Sequence, residues 1–301
     1  MMQHKSVFHV SQPIGSFFSK DRVSGYYNDL TNKVISSHLF DEEGIPINKA
    51  ANKNQKRIIH FPITIFQYGL GCYDYYLKTS NSLYKNKMIS TADWAIKNLR
   101  DNGSWNSFGC LYYSCAVSSM AQGEGVSLLA RAYNETNNKI YLESAIKATN
   151  FMLQDIDNGG TAQQKDDILV LYEYPNKNVV LNGWIFSAFG LYDIWKLTNE
   201  NKYGSAWHGA VKGIKEYLPK FDSGIWSYYS LDGKYASPFY HKLHIELLKA
   251  LNQLSPDEIF NLYISNWSKF QNSFWNSKIA FLCKAKQKLL ERNSKEWVMV
   301  E

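Results

Sequence analysis

Along the first sixty residues, apolar and polar positions follow no sustained period. Gly15, Gly25 and Gly44, with Pro13 and Pro46, punctuate short segments as turns do. After Pro62 the texture changes. Ile65, Tyr68, Gly69, Cys72, Tyr73 and Tyr76 recur at spacings of three and four, which predicts a helix. A second helix fits residues 91–100 and stops at Asp101-Asn102-Gly103.

From there the pattern repeats. Thr136-Asn137-Asn138-Lys139-Ile140-Tyr141 matches Thr198-Asn199-Glu200-Asn201-Lys202-Tyr203 at an offset of 62 residues. Each copy follows an apolar helix (126–133 and 185–197) and precedes a second one (142–153 and 205–218). The second helices end in Asp157-Asn158-Gly159-Gly160 and Asp222-Ser223-Gly224. A weaker copy runs from Thr79 through Tyr84 and Trp94 to Asn102-Gly103, and a fourth pair of helices fits 241–254 and 256–270. Helical hairpins repeating at about 60 residues stack into a solenoid or close into a ring. The fold expected is mainly α: an incomplete (α/α) toroid with short β-hairpins at one end. An irregular N-terminal arm (1–60) precedes the toroid (61–275), and a helical tail (276–301) follows.

The segments between repeats break the helical pattern. Residues 166–181 and 223–240 are polar, aromatic and β-prone, as expected of strands or extended loops at a toroid mouth. Three aromatic–polar clusters lie there: Tyr172-Glu173-Tyr174-Pro175, Trp226-Ser227-Tyr228-Tyr229-Ser230 and Tyr240-His241-Lys242-Leu243-His244. Taken singly, each reads most simply as loop packing. His241 and His244 stand three residues apart with no third ligand of suitable type nearby in sequence, so a metal is not expected.

Composition sharpens this picture. Aromatics reach 15%, with 21 Tyr, 16 Phe and 9 Trp, and their faces suit stacking on sugar rings or bases. The net charge of +6 favours an anionic partner without naming one. The lysines of 284–288 read as a solvated helix face, and no basic run or RNP-like motif supports nucleic-acid binding. Nor is there a dinucleotide fingerprint, phosphate loop, nucleophile elbow or zinc-protease motif. Cys72, Cys110, Cys115 and Cys283 match neither a disulfide framework nor a common zinc pattern, and read as free thiols in a reducing compartment. The N-terminus lacks a signal-peptide core. The most apolar window, 179–195, is broken by Asn182, Ser187 and Asp193, and reads as a buried helix rather than a membrane span. A cytoplasmic chain is expected.

A tyrosine-rich cleft with one glutamate suits acidic sugars. The C5 hydrogen of a uronate lies α to a carboxylate, so its removal needs a base and a way to tolerate enolate-like charge. Proton donors on both ring faces give epimerisation. One face, with departure of the C4 oxygen, gives β-elimination.

Over about residues 41–275 the chain resembles the C-terminal domain of D-glucuronyl C5-epimerases, which convert glucuronate to iduronate in heparosan and N-sulfated heparan precursors. Glu43-Gly44-Ile45-Pro46 is similar to the family's EGVP segment and Phe66-Gln67-Tyr68-Gly69-Leu70 to its QYGL helix. Ser119-Met120-Ala121-Gln122-Gly123-Glu124-Gly125 is similar to SAMAQG, and Ala130-Arg131-Ala132-Tyr133 to VRAY. Glu173-Tyr174-Pro175, Val180-Leu181-Asn182-Gly183 and Gly190-Leu191-Tyr192-Asp193 match EYP, VLNG and GLYD. Tyr240-His241 with His244-Ile245 matches YHTTHI. The order and spacing of these short matches make them specific.

The resemblance implies an (α/α) toroid with a cleft, no cofactor, and a uronate-containing polysaccharide or lipid-linked oligosaccharide as partner. Larger members carry N-terminal β-domains and dimerise, so a homodimer is a further expectation. By position, Glu173 and Tyr240 would be the opposed acid/base groups, supported by Tyr174 and Tyr229. Tyr68, Gln122, Asn182, His241 and His244 would contact substrate. The family's YDLR reads Tyr229-Ser230-Leu231-Asp232 here, which leaves Lys234 or Lys177 to replace the arginine. A uronate lyase and a non-catalytic polyanion-binding module are the alternatives.

Overall fold

The computed structural model describes residues 9–36, 38–52, 55–109, 116–175, 177–290 and 298–300. Cys110 and Cys115 lie outside these residues, while Cys72 and Cys283 are free thiols. The chain begins with α1 (Thr31–Ile35), β1 (Leu39–Phe40), β2 (Pro46–Ala51), β3 (Lys56–Ile59), α2 (Pro62–Thr79) and α3 (Ser82–Lys97). It continues through α4 (Ser119–Thr136), α5 (Lys139–Met152), β4 (Ala162–Lys165), β5 (Ile168–Leu171), α6 (Leu181–Thr198) and α7 (Asn201–Tyr217). It ends with β6 (Tyr228–Ser230), β7 (Lys234–Tyr235), α8 (Pro238–Leu254), α9 (Glu258–Asn272), α10 (Phe274–Leu290) and β8 (Val298–Val300).

The helices pair as hairpins α2/α3, α4/α5, α6/α7 and α8/α9, and α2, α4, α6 and α8 pack side by side as an inner layer. This is an incomplete (α/α) toroid. Burial explains which helices lie inside. Every residue of α2 from Pro62 to Asp74, of α4 from Ser119 to Ala132 and of α6 from Leu181 to Ile194 is buried. Small and apolar residues dominate these runs, and their buried polar groups, such as Gln122 and Arg131, find partners inside the core. The partner α3 buries only Met88, Thr91, Ala92 and Ala95, a single stripe.

The turn chemistry repeats three times. Ser80, Asn137 and Asn199 end the inner helices in the left-handed region, with φ of 56°, 56° and 54°. In each copy the preceding Thr hydroxyl (Thr79, Thr136, Thr198) donates back one helical turn and accepts from the N–H two residues on. Asn81 and Asn138 then accept from the second residue of the outer helix. That cap starts α3 at Ser82, nine residues before the start expected from periodicity. The difference arises because the outer face of α3 is polar and hides the period.

The inner helices run in the same sense. Ser119 bonds Ser187, Gly123 abuts Gly190 and Arg131 bonds Asp193, in matching order along α4 and α6. Their first turns therefore share one end of the toroid, where the hairpins β4–β5 and β6–β7 also lie. Leu231 N–H donates to Val179 O at 3.1 Å, which docks the second hairpin on the entry to α6.

The opposite end is closed by the later part of residues 9–30, expected as an irregular arm, which starts at the site end, where His9 meets the rings of Phe239 and Tyr240 edge to face. This segment doubles back on itself, with Gly15 N–H bonded to Tyr27 O (2.7 Å) and Asp29 N–H to Pro13 O (2.7 Å). It drives Tyr26 and Tyr27 into the core. Arg131, wholly buried, pairs with Asp193 at 2.7 Å, donates to Gly25 O at 3.0 Å and lies under both tyrosine rings. Tyr27 Oη donates to Asp193 at 2.6 Å, and Tyr26 N–H donates to Asp74 at 2.9 Å. Three further strands follow, β2 pairing antiparallel with β1, β3 and, from the far end of the chain, β8. Residues 39–51 and 56–59 thus form a sheet where turns were expected. The tail expected as helical is helical through α10 to Leu290, and Val298–Val300 pair as a strand. Strands this short carry too little alternation to read as such.

Replacing Arg131 by Met should lower the free energy of unfolding by about 3–5 kcal/mol, because Asp193 would keep a buried, unpaired charge. Urea unfolding measures this, and a loss below about 1 kcal/mol would contradict the pinning role.

Candidate active site

Glu173 follows β5 directly. Tyr172 O accepts the N–H of Ser119 (3.1 Å), and Tyr172 N–H reaches Thr161 O (2.8 Å), so this backbone is fixed on the first turn of α4. The Glu173 side chain then lies against the first turn of α6. A Cβ on Gly183 would stand 2.5 Å from Glu173 Oε2, so only glycine leaves room for the carboxyl there. Glu173 is buried, and Oε2 has no hydrogen-bond partner among the described residues. Burial pushes its pKa up to about 7, against a hydrogen bond from Tyr174 that favours the ionised form.

The structure brings Glu173, Tyr174, Tyr229 and Tyr240 together. The Tyr174 hydroxyl interacts with both Glu173 and Tyr229, and Tyr229 with Tyr240. The rings of Tyr229 and Tyr240 meet edge to face at 4.8 Å, and Tyr174 stacks on Phe108 at 4.5 Å. Burial first, then the Glu173 charge, raises the pKa of both Tyr229 and Tyr240 well above that of free tyrosine. Both phenols are therefore protonated near neutral pH.

A cleft of about 370 Å³ opens beside this chain, lined by Tyr174, Lys177, Asn178, Val180, Tyr229, Ser230, Asp232 and Lys234. Lys177 sits 5.5 Å from the centre of the Tyr174 ring. Lys234 Nζ lies 3.4 Å from Asp232, whose other oxygen accepts from Ser230 Oγ at 2.5 Å. Partial burial works to raise the Asp232 pKa. The Ser230 bond and the Lys234 charge outweigh it and hold the carboxyl below its usual range. The aspartate in the arginine's place thus occupies one of the two cleft lysines. A larger hollow of about 540 Å³ is lined by residues of β4 and β5, but of its charged residues Lys202 pairs with Glu200, Asp167 with Lys212, and Asp155 accepts from the Asp157 N–H.

The remaining candidates lie elsewhere. Tyr68 is buried against His38 and Phe40, with ring centres 5.5 and 5.4 Å away. Gln122 is a core clamp. It accepts from Trp105 N–H (3.0 Å) and donates to Gly103 O (2.8 Å) and Ala148 O (3.1 Å). Asn182 is buried beside Met120, with Oδ1 unpartnered among the described residues. His241 stacks on Trp226 at 3.7 Å and bridges Ser227 to Trp267 O, and His244 shares the Ser227 hydroxyl. Burial lowers their pKa values to about 4 and about 3, so both are neutral and neither offers a cation to a carboxylate. Their role in this arrangement is to hold Ser227, one residue before the strand that carries Tyr229.

One buried acid was missed. Glu124, in α4, accepts from Gln67 Nε2 at 2.9 Å, while Oε2 has no partner among the described residues. Burial, assisted by the Glu173 charge, pushes its pKa up to about 8, with Gln67 and Lys33 opposing. Lys33, itself buried, is lowered to about 8. The legible signal was a glutamate between two glycines in an otherwise uncharged helical turn. Among the described residues, no group of three His, Cys, Asp or Glu could hold a metal ion.

The fold and this cleft define a class of (α/α) toroid. An unsaturated glucuronyl hydrolase specific for heparin has the same architecture, with a TM-score of 0.50 at 11% identity over 82% of this chain and 81% of that one. The profile of the D-glucuronyl C5-epimerase C-terminus family matches residues 102–269, and the chain belongs to this family. It is 29% identical over 215 residues to a D-glucuronyl C5-epimerase of Caenorhabditis elegans, covering 61% of this chain and 35% of the nematode protein. It is also 28% identical over 155 residues to an uncharacterized protein of Methanocaldococcus jannaschii, covering 50% of each. The chain thus spans between about a third and a half of the curated relatives it matches.

The raised Glu173 pKa has a consequence for stability. The folded state holds the Glu173 proton to about pH 7, whereas the unfolded chain releases it near 4.5. Its contribution is therefore present in acid and lost as pH rises through 7. Asp74, raised to about 7 by burial, and Glu124 act in the same direction. Glu173→Gln should match the parent near pH 4 and exceed it at pH 8 by on the order of 2–3 kcal/mol. Urea unfolding at both pH values decides the matter, and equal differences at the two would refute the assignment.

Proposed function

We propose that the chain epimerises D-glucuronate residues to L-iduronate at C5 within an acidic polysaccharide. The single observation that supports this most strongly is the contiguous buried series Glu173–Tyr174–Tyr229–Tyr240 beside a cleft with two lysines. Ionised Glu173 takes the C5 proton. The C5–H bond pair moves into the adjoining carboxylate, whose growing charge Lys177 and Lys234 offset. Tyr240, protonated at neutral pH, delivers a proton to the other face of C5. Glu173 is then protonated and Tyr240 ionised. The tyrosine series offers a path for the proton to return from one to the other, restoring both groups without a co-reactant. A base with a pKa near 7 is well placed for work at neutral pH.

Incubation of the chain with heparosan in heavy water, followed by NMR at C5, tests the reading. Deuterium should enter without chain cleavage, and kcat/KM should rise with pH through about 7 as Glu173 ionises. Glu173→Gln and Tyr240→Phe should each lose roughly 10²–10⁴-fold in turnover with binding retained, and Tyr229→Phe should lose less. Cleavage with new ultraviolet absorbance would instead assign a lyase, and binding without exchange a non-catalytic module.

Asp232 offers a separate check. Asp232→Asn removes the carboxylate that holds Lys234, so KM for the polyanion should fall by about three- to tenfold at low salt, with little change in kcat. An unchanged KM would exclude Lys234 from carboxylate binding.

A further inference from the structure

The helix α10 has two unlike faces. Ser277, Ala280, Lys284 and Gln287 look inward at spacings of three and four. Ala280 is buried against the Trp226 cluster. Gln287 accepts from Tyr235 N–H at 3.0 Å and donates to Gly233 O at 3.1 Å. Lys284 lies 5.9 Å from the centre of the Tyr229 ring. This face therefore holds the β6–β7 hairpin, which lines the cleft with Tyr229 and Lys234.

The outward face is apolar and uncovered. Trp275, Ile279, Leu282 and Leu289 fall on one stripe, with Phe274 and Phe281 beside it. All six are between 43% and 73% exposed. Buried tryptophans elsewhere (Trp105, Trp184, Trp207, Trp226, Trp267) show what this chain does with indoles it can pack. A contiguous exposed patch of this kind marks an interaction surface. Its charge selects the occupant. Lys278 and Lys286 are exposed on the same side, and the 17-residue helix carries four lysines and no acidic residue. Indole, phenyl and branched side chains with flanking lysines make the pattern of a helix lying in a lipid headgroup region, with its bases on anionic lipid. A two-fold contact with a second copy would set the same lysine-bearing stripe against itself, which like charge opposes.

We propose that α10 is a peripheral membrane-docking helix for an anionic lipid surface, presenting the cleft hairpin on its other face close to that surface. No helix among the described residues is long and apolar enough to span a bilayer. The inference does not depend on the reaction assigned to the cleft.

Sedimentation of the chain with sucrose-loaded vesicles tests it. The parent should pellet with vesicles of equal parts phosphatidylglycerol and phosphatidylcholine and stay in solution with phosphatidylcholine alone. Trp275→Ser/Leu282→Ser and Lys278→Glu/Lys286→Glu should each weaken binding to anionic vesicles by about tenfold or more. Both pairs are exposed, so circular dichroism and Tm should match the parent. Failure of the parent to pellet with anionic vesicles would overturn the proposal, as would undiminished binding by the Trp275/Leu282 variant. Sedimentation equilibrium showing a dimer that the same variant dissociates, without vesicle binding, would overturn it and give the face to a second copy.

Discussion

The site depends first on how closely α4 and α6 approach. A Cβ on Gly190 would fall 2.6 Å from the Gly123 backbone, and one on Gly123 would fall 2.5 Å from Ser187 Cα. The two helices thus touch main chain to main chain, nearer than side chains permit. That contact aligns their first turns, so the strand end fixed on Ser119 can place Glu173 over Gly183. At the far end the same pair of helices is tied by Arg131 and Asp193, with the N-terminal segment clasped between them. An alanine at either crossing glycine would push the helices apart and move the carboxyl relative to the tyrosines.

The chemistry then follows from desolvation rather than from a strong ion pair. Glu173 is buried with one oxygen unpartnered among the described residues, and its pKa rises because charge is costly there. Tyr229 and Tyr240 rise for the same reason. A single environment thus holds a carboxyl near the point of ionisation and phenols firmly protonated, the combination a proton exchange across a ring requires. Glu124 is a second reluctant charge in the toroid interior, raised by its own burial and by the Glu173 charge. Lys234 is tied to Asp232 at the rim, so positive charge is moderated where a polyanion would bind.

The cleft is also supported from outside the toroid. His241 and His244 anchor Ser227 before β6, and Gln287 of α10 holds the turn after it. These contacts tie the hairpin with Tyr229 to a helix whose outer surface is apolar and basic, so the position of one tyrosine depends on elements from both sides of the repeat.

Local pattern determined much of this chain on its own. The Thr–Asx turns announced the repeats because a left-handed residue and a cap need those residue types wherever a hairpin of helices turns. The apolar stretches at 126–133 and 185–197 and the motif order around Glu173 and Tyr240 were likewise legible. Other features came only from tertiary structure. Gln122, His241 and His244 read as contacts for substrate; the fold engages Gln122 and His241 in core hydrogen bonds and His244 through Nδ1, leaving His244 Nε2 unpartnered among the described residues. Glu124 gave little sign of itself because an acid's pKa depends on what surrounds it, not on its neighbours in sequence. Residues 9–30 read as irregular because their partners, Asp74, Arg131, Asp193 and Glu246, lie 48 to 232 positions away. Periodicity reports contacts within an element. Contacts between distant segments, and the desolvation they impose, exist only once the chain has closed.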